Sequence, residues 1–258
     1  VLQKISDADF ARLVVEKTRD AQAAAAREQV RAAAASLPVP KLPKAPKGDP
    51  DDYERRQAKY RRERRIADLG IPDNYRDARL STPIFGDWGT AKDRADYAEL
   101  CRRLAAFARD YGIVSLIGPR GTGKTHLAWA TAVEAAEAGK SARIIKARAF
   151  FKELKETWGK SERTERGVVE RYARTGFLAI DELSEARISQ DWQGEELTAL
   201  VDARYDARRP TLLIANDTRE TFERNIGESI LSRMEERGRI YVAGWPSVRT
   251  YIGAKRNG

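Results

Sequence analysis

Cysteine, histidine and methionine each occur once in this chain of 258 residues. A lone Cys101 excludes an internal disulfide and any zinc site built on cysteines. With His126 as the one histidine, a metal centre of His and Cys ligands has nothing to stand on. Long apolar runs are missing too. No stretch reaches the ~20 residues that a membrane helix needs. No signal-peptide pattern opens the chain, so a cytoplasmic protein without a membrane partner is the expectation. What is present is 41% hydrophobic residues, enough for a real core, under a net charge of +9. A basic balance suggests a polyanion partner, nucleic acid being the commonest, with a generally basic surface as the alternative.

The organisation follows from composition shifts. Residues 1–36 read as helical, with Phe10, Leu13 and Val14 at i, i+3 and i+4 and alanine-rich runs behind them. Few large apolar groups are available, so such a helix docks on a partner or frays. Residues 37–50 form a Pro/Lys linker, an extended and semi-stiff tether. A helix rich in arginine follows from Asp51 to Leu69 and ends at Gly70-Ile71-Pro72. It is a phosphate-contacting face or a solvated one; residues 51–91 are read as this helix and a connector. From residue 92 the pattern alternates. Helices over 92–110, 124–138 and 193–207 interleave with apolar strands over 113–117, 142–146, 177–180 and 211–214. That alternation argues an α/β fold with a central parallel sheet flanked by helices.

The chemistry starts at Gly118-Pro119-Arg120-Gly121-Thr122-Gly123-Lys124-Thr125. This is a complete G-x-x-x-x-G-K-[ST] phosphate loop between an apolar strand and a helix, the context the motif requires. Inward-turned N–H groups and the helix N-terminus would cradle the phosphates of ATP. Lys124 would reach the β- and γ-phosphates, and Thr125 would hold Mg2+. His126, next in line, reads as polar packing or as support for the loop. Downstream, Phe177 to Ile180 runs into Asp181-Glu182. Asp181 is placed for the metal, and Glu182 for orienting and deprotonating an attacking water. Asn216, just past the next strand, senses the γ-phosphate or caps the helix that follows. Arg233 lies beside the apolar face of Ile230, Leu231 and Met234. An arginine there either stays on the surface or serves a neighbouring subunit's γ-phosphate, which requires an ATP-bridged oligomer. Arg237 is a second candidate.

These elements together resemble the AAA+ P-loop NTPases, specifically the DnaC/IstB family and its branch of replicative helicase loaders. The resemblance covers roughly residues 64–252. It is carried by Arg64 to Pro72, Gly118 to Ala128, Phe177 to Glu182, Asn216, Gly227 to Met234, and the ending Ile240 to Arg249. It implies an ATPase domain over 92–258 with a truncated lid, beside a small N-terminal helical module. It also implies that Arg233 aligns with the arginine finger and Arg249 with a second sensor of nucleotide state. Two departures stand out. Val248 replaces the usual tyrosine of a Ser-Tyr-Arg ending, and Ser229 stands where the family commonly has arginine. The branch implies single-stranded DNA in the pore of a spiral, met by the segment Phe150 to Lys160. There Trp158 offers a stacking face and Lys155 a phosphate partner, joined by Ser189 and Trp192. Trp158 is otherwise a core residue at helical spacing. The implied partner is a hexameric replicative helicase gripped by the N-terminal helices. The alternative within the family is an IstB-like regulator of a transposase on duplex DNA.

Overall fold

The computed structural model describes residues 50–81, 88–159, 164–186 and 192–249. The N-terminal helices, the linker up to residue 49 and Ser189 lie outside these. The chain divides into two compact units at Gly70–Ile71. In the first, α1 (Pro50–Asp68) is the arginine-rich helix, held along its surface by i,i+4 ion pairs such as Arg56–Asp52 at 2.8 Å.

The second unit opens with a 3₁₀ turn, Asp73–Tyr75, set by Pro72, and then builds α2 (Ala91–Arg109) and β1 (Ile113–Ile117). Thr90 and Asp93 start α2 with a reciprocal capping box. α3 (Lys124–Glu137), β2 (Ala142–Lys146), α4 (Ala147–Lys155) and α5 (Glu165–Ala173) follow. The chain continues through β3 (Phe177–Asp181), a 3₁₀ turn at Leu183–Ala186, α6 (Trp192–Asp206) and β4 (Thr211–Ile214). It closes with α7 (Arg219–Ile226), α8 (Glu228–Arg237) and β5 (Gly238–Val242).

All five strands are parallel, in the order β2-β3-β4-β1-β5. The sequence explains the order of burial. β1, β3 and β4 are buried at every position, as continuous apolar strands covered on both faces must be. The edge strands carry Arg143, Lys146 and Arg239 and are partly exposed. The register aligns Lys146 with Asp181 and Ile117 with Val242. The C-terminal tips therefore gather at one edge of the sheet, where α/β proteins bind ligands. The fold is the α/β AAA+ type, with its parallel sheet between helices. One strand, β5, and the short helix α8 before it were not separately expected from the sequence.

At the opposite edge the core contains a charge. Arg204 of α6 is fully buried. Its guanidinium donates to the carbonyls of Tyr172 (2.8 Å), Thr175 (2.6 Å) and Pro210 (2.7 Å) and to the Thr211 hydroxyl (2.8 Å). Burial, and secondarily the nearby Arg209 charge, push it down to about 9, still protonated at neutral pH. The acceptors replace water and tie the end of α5 to the start of β4. Arg204→Met keeps most of the volume but orphans these acceptors. It should lower unfolding stability by about 3 kcal/mol in a denaturant titration. A loss under about 1 kcal/mol would show that the bonds contribute little.

Candidate functional site

A cavity of about 590 Å³ opens over the strand tips. Its floor is the phosphate loop. Gly118 (φ +130°) and Gly121 (φ +88°) hold backbone conformations that side chains avoid. A Cβ at Gly118 would meet the Ala243 carbonyl at 2.8 Å, and one at Gly121 the Ser247 hydroxyl at 2.3 Å. The residues after β5 thus press on the loop from outside. They also hold it. Ala243 N–H donates to Ile117 O (2.8 Å), Val248 N–H to Gly121 O (2.9 Å), and the buried Trp245 indole N–H to Thr122 O (2.9 Å). Trp245 in turn packs edge-on against Tyr97 and Trp88.

Lys124 is buried at the start of α3. Its ammonium donates to the loop's own Gly118 and Pro119 carbonyls, at 2.8 and 2.6 Å. Burial is the main reason that it is pushed down to about 8; Asp181 acts in the opposite direction, and Arg249 adds to the fall. Thr122 is buried and donates to Pro119 O at 3.0 Å, which stiffens the same bend.

The Thr125 hydroxyl donates to Asp181 Oδ2 at 2.8 Å. Burial raises the Asp181 carboxyl, while Thr125 and the Glu182 N–H pull the other way. Two hard oxygens, one hydroxyl and one carboxylate, fit a magnesium ion that takes its other ligands from phosphates and water. Among the described residues no group of three or more His, Cys, Asp or Glu could hold a metal by itself. Glu182 has φ +60°, a left-handed conformation unusual for a side-chain-bearing residue. Its N–H donates to Asp181 Oδ1 at 2.8 Å. Its carboxylate pairs with Lys146 Nζ, from the tip of β2, at 2.7 Å. That bond holds the Lys146 ammonium above its usual range.

Asn216 lines the same cavity. Its N–H donates to the Ser184 hydroxyl at 2.7 Å. The capping alternative falls away, because Thr218 caps α7. Arg249 lines the cavity, as do Arg120, Gly123 and His126. Burial pushes the His126 imidazole below its ordinary range, and its buried Nε2 has no hydrogen-bond partner among the described residues. Arg233 is not among the lining residues. It sits on α8, paired with Asp202 at 2.9 Å and bonded to Ser229.

The sequence reading missed one wall. Asp73, Asn74, Tyr75, Asp77 and Ala78 also line the cavity. Tyr75 stacks on Trp129 (6.1 Å between centroids) and tilts against His126 (6.3 Å). The one sequence signal was the Pro72 stop, followed by polar residues and a tyrosine.

Elsewhere, Lys155, Trp158 and Trp192 come together. Trp158 meets Trp192 edge-on at 5.2 Å, and Lys155 Nζ lies 5.6 Å from the Trp192 ring centroid. Trp158 is 57% exposed, which excludes a core role. Its indole N–H bonds to Glu165. Phe151, by contrast, is buried.

The model of the family described as IstB-like ATP binding protein matches residues 90–234, more than half of the chain. The replicative helicase loader DnaC of Escherichia coli (strain K12) is 30% identical over 149 residues, 57% of this chain and 60% of that protein. The chain thus spans less than two thirds of the relative that it matches. The crystal structure of the DnaC helicase loader has a TM-score of 0.52 at 20% identity, covering 66% of this chain and 99% of that one. AMPPCP-bound DnaA from Aquifex aeolicus has a TM-score of 0.54 at 20% identity, covering 70% and 55%. At such identities the two structures speak to the fold alone.

Trp245→Phe keeps the ring packing and deletes the bond to Thr122. The loop should lose about 1 kcal/mol of support. Titration with a fluorescent ATP analogue should show roughly fivefold weaker binding, with a small drop in melting temperature. Unchanged affinity would mean that the indole bond does not shape the loop.

Proposed function

This chain belongs to the IstB-like ATP binding protein family of AAA+ ATPases, and we propose that it is an ATP-dependent loader, which grips a hexameric replicative helicase and sets it on single-stranded DNA. The observation that carries the reading is the cluster of Lys155, Trp158 and Trp192. An exposed indole beside a second tryptophan and a lysine is a platform for bases with a cation for the backbone. Ser189 is proposed to join them. Kinship to E. coli DnaC supports the same assignment.

In this reading ATP lies in the cavity over the phosphate loop, its phosphates met by N–H groups from Gly118 to Thr125 and by Lys124. Thr125 and Asp181 hold Mg2+, which neutralises charge on the phosphates when bound. Lys124 leaves the carbonyls of Gly118 and Pro119 for a stronger, charged partner. Glu182 accepts a proton from the attacking water once its carboxylate is free of Lys146. Asn216 orients that water or the γ-phosphate, and Arg249 reports nucleotide state from within the subunit. Arg233, outside its own cavity, serves the neighbouring subunit, so ATP favours an assembly and hydrolysis loosens it. The N-terminal helices supply the grip on the helicase.

The family match itself favours a second reading, an IstB-like ATPase that regulates a transposase on duplex DNA. The arms of one experiment separate the two. The full chain should bind oligothymidine more tightly than a duplex of the same length, and Trp158→Ala should weaken that binding about tenfold, the size of one lost stacking contact. It should also co-elute with its host's replicative helicase. Preference for the duplex and no helicase complex would reverse the ranking. Separately, Glu182→Gln should leave ATP binding within about twofold and cut turnover by about 100-fold or more in a phosphate-release assay. Turnover that survives the change would remove Glu182 from the role of base.

A further inference from the structure

Arg233, which does not line its own subunit's nucleotide cavity, has its guanidinium held at both ends. Nη1 donates to the Ser229 hydroxyl at 2.6 Å and to the Ser229 carbonyl at 3.0 Å, one turn back on α8. Nη2 lies 2.9 Å from Asp202 Oδ2, on α6. Tyr205, also on α6, flanks the group, with Cζ 5.9 Å from its ring centroid. The tip that would reach a phosphate is therefore turned onto acceptors of its own chain. Two features set this contact apart from a solvated ion pair. Ser229 is exposed, yet its hydroxyl is engaged by Arg233. The arginine that the family commonly has at this position offers no acceptor. Asp202, for its part, uses one oxygen only. Its Oδ1 is buried and has no hydrogen-bond partner among the described residues, a placement that costs free energy. Burial raises the Asp202 carboxyl, Arg233 pulls it back, and Asp206 adds to the rise.

We propose that Asp202 and Ser229 form a latch that parks Arg233 within its own subunit, so that the γ-phosphate of a neighbouring subunit's ATP must compete for it before the assembly forms and turns over. The inference rests on the reading that Arg233 serves the neighbour. While the latch is closed, the guanidinium cannot bridge two subunits. Only the unlatched fraction is competent, and the apparent affinity between subunits falls by that fraction. A terminal phosphate is a more highly charged acceptor than one carboxylate, so it draws Arg233 away once it is held within reach. In a dilute, lone subunit no such phosphate is near, and Arg233 stays on Asp202. Turnover is thereby kept for the assembled state. Arg233 is 27% exposed and Asp202 31%, so water reaches the pair. The latch therefore shifts populations a few-fold and does not lock the arginine away.

The test follows ATP turnover per subunit against protein concentration in a phosphate-release assay. For the unaltered full chain, turnover should rise with concentration to a plateau. Asp202→Asn and Ser229→Ala should each lower the half-maximal concentration about threefold, the scale of one partly exposed ion pair or hydrogen bond, and leave the plateau unchanged. The midpoint of assembly, followed by light scattering with a non-hydrolysable ATP analogue, should shift by the same factor. Loss of structure does not produce such a gain, and Ser229→Ala changes an exposed helix position that tolerates alanine. Midpoints unmoved or raised in both variants would overturn the latch. A lowered plateau in both would make these residues groups that aim Arg233 at the neighbour, and would overturn the latch as well. Arg233→Ala should hold turnover at the dilute, basal rate at every concentration. If it keeps the full plateau, or if turnover of the unaltered protein is independent of concentration, the reading of Arg233 as the neighbour's group falls and the latch falls with it. Loss of the plateau in Arg233→Ala with unmoved midpoints in the other two would remove the latch alone.

Discussion

The hydrogen bond from the Trp245 indole to the Thr122 carbonyl is the contact on which the site's architecture turns. A phosphate loop is useful because its N–H groups face inward, and that leaves its carbonyls pointing elsewhere in search of partners. Here the segment after β5 meets two of them, Trp245 taking Thr122 and Val248 N–H taking Gly121, while Lys124 of the loop itself takes Gly118 and Pro119. The bond to Trp245 is only as firm as the placement of its ring, which Tyr97 and Trp88 set from α2 and the residues before it. An edge strand, a helix far earlier in the chain and the loop are therefore one mechanical unit. It explains why glycine is demanded at 118 and 121, since the supporting segment passes within 3 Å of where a Cβ would stand.

A second theme is that the groups assigned to the reaction pair with each other or with neighbours within the protein. Lys124 sits on loop carbonyls, Glu182 on Lys146, Thr125 on Asp181, and Arg233 on Asp202. These contacts differ in strength. The pairs of Glu182 and Arg233 are partly exposed and exchange readily. Lys124 is buried and pushed down to about 8, so its environment disfavours the charge that anionic phosphates would favour. A triphosphate entering the cavity supplies the compensation that the loop carbonyls give only in part. On this arrangement nucleotide affinity is a difference between partners gained and partners surrendered, and the surrendered ones set how strongly occupancy is felt elsewhere.

What the sequence disclosed follows from the range of the forces involved. The central strands were legible because a strand buried on both faces is a continuous apolar run, and β1, β3 and β4 are such runs. The phosphate loop was legible because its chemistry is contiguous. β5 was harder to see: Gly238-Arg239-Ile240-Tyr241-Val242 is half exposed and charged, and only pairing with β1 makes it a strand. The capping role open to Asn216 was a local one, and the structure gives that cap to Thr218 instead. Lys146, Glu185 and Tyr75 could not be found in advance. Each is an ordinary residue until the fold sets it beside Glu182, Arg120 or His126 respectively. Trp245 is buried, but its bond to Thr122 spans more than a hundred residues and has no local signature in the sequence.

α4 has one face in the core and another along a groove at the surface. Phe150, Phe151 and Leu154 are buried in the main cluster, while Arg148, Lys152 and Lys155 line the groove on the helix's other side. Because successive side chains of a helix are fixed in direction by the same backbone, packing of one face determines the spacing of the other. The helix follows β2 without a gap, and β2 ends in Lys146, the partner of Glu182. The row of cations is thereby placed by the same strand that positions an acid of the nucleotide cavity. Glu185, in the turn after β3, borders both the groove and the nucleotide cavity, where it pairs with Arg120. Two neighbouring strand tips thus carry the contacts between the cavity and the groove.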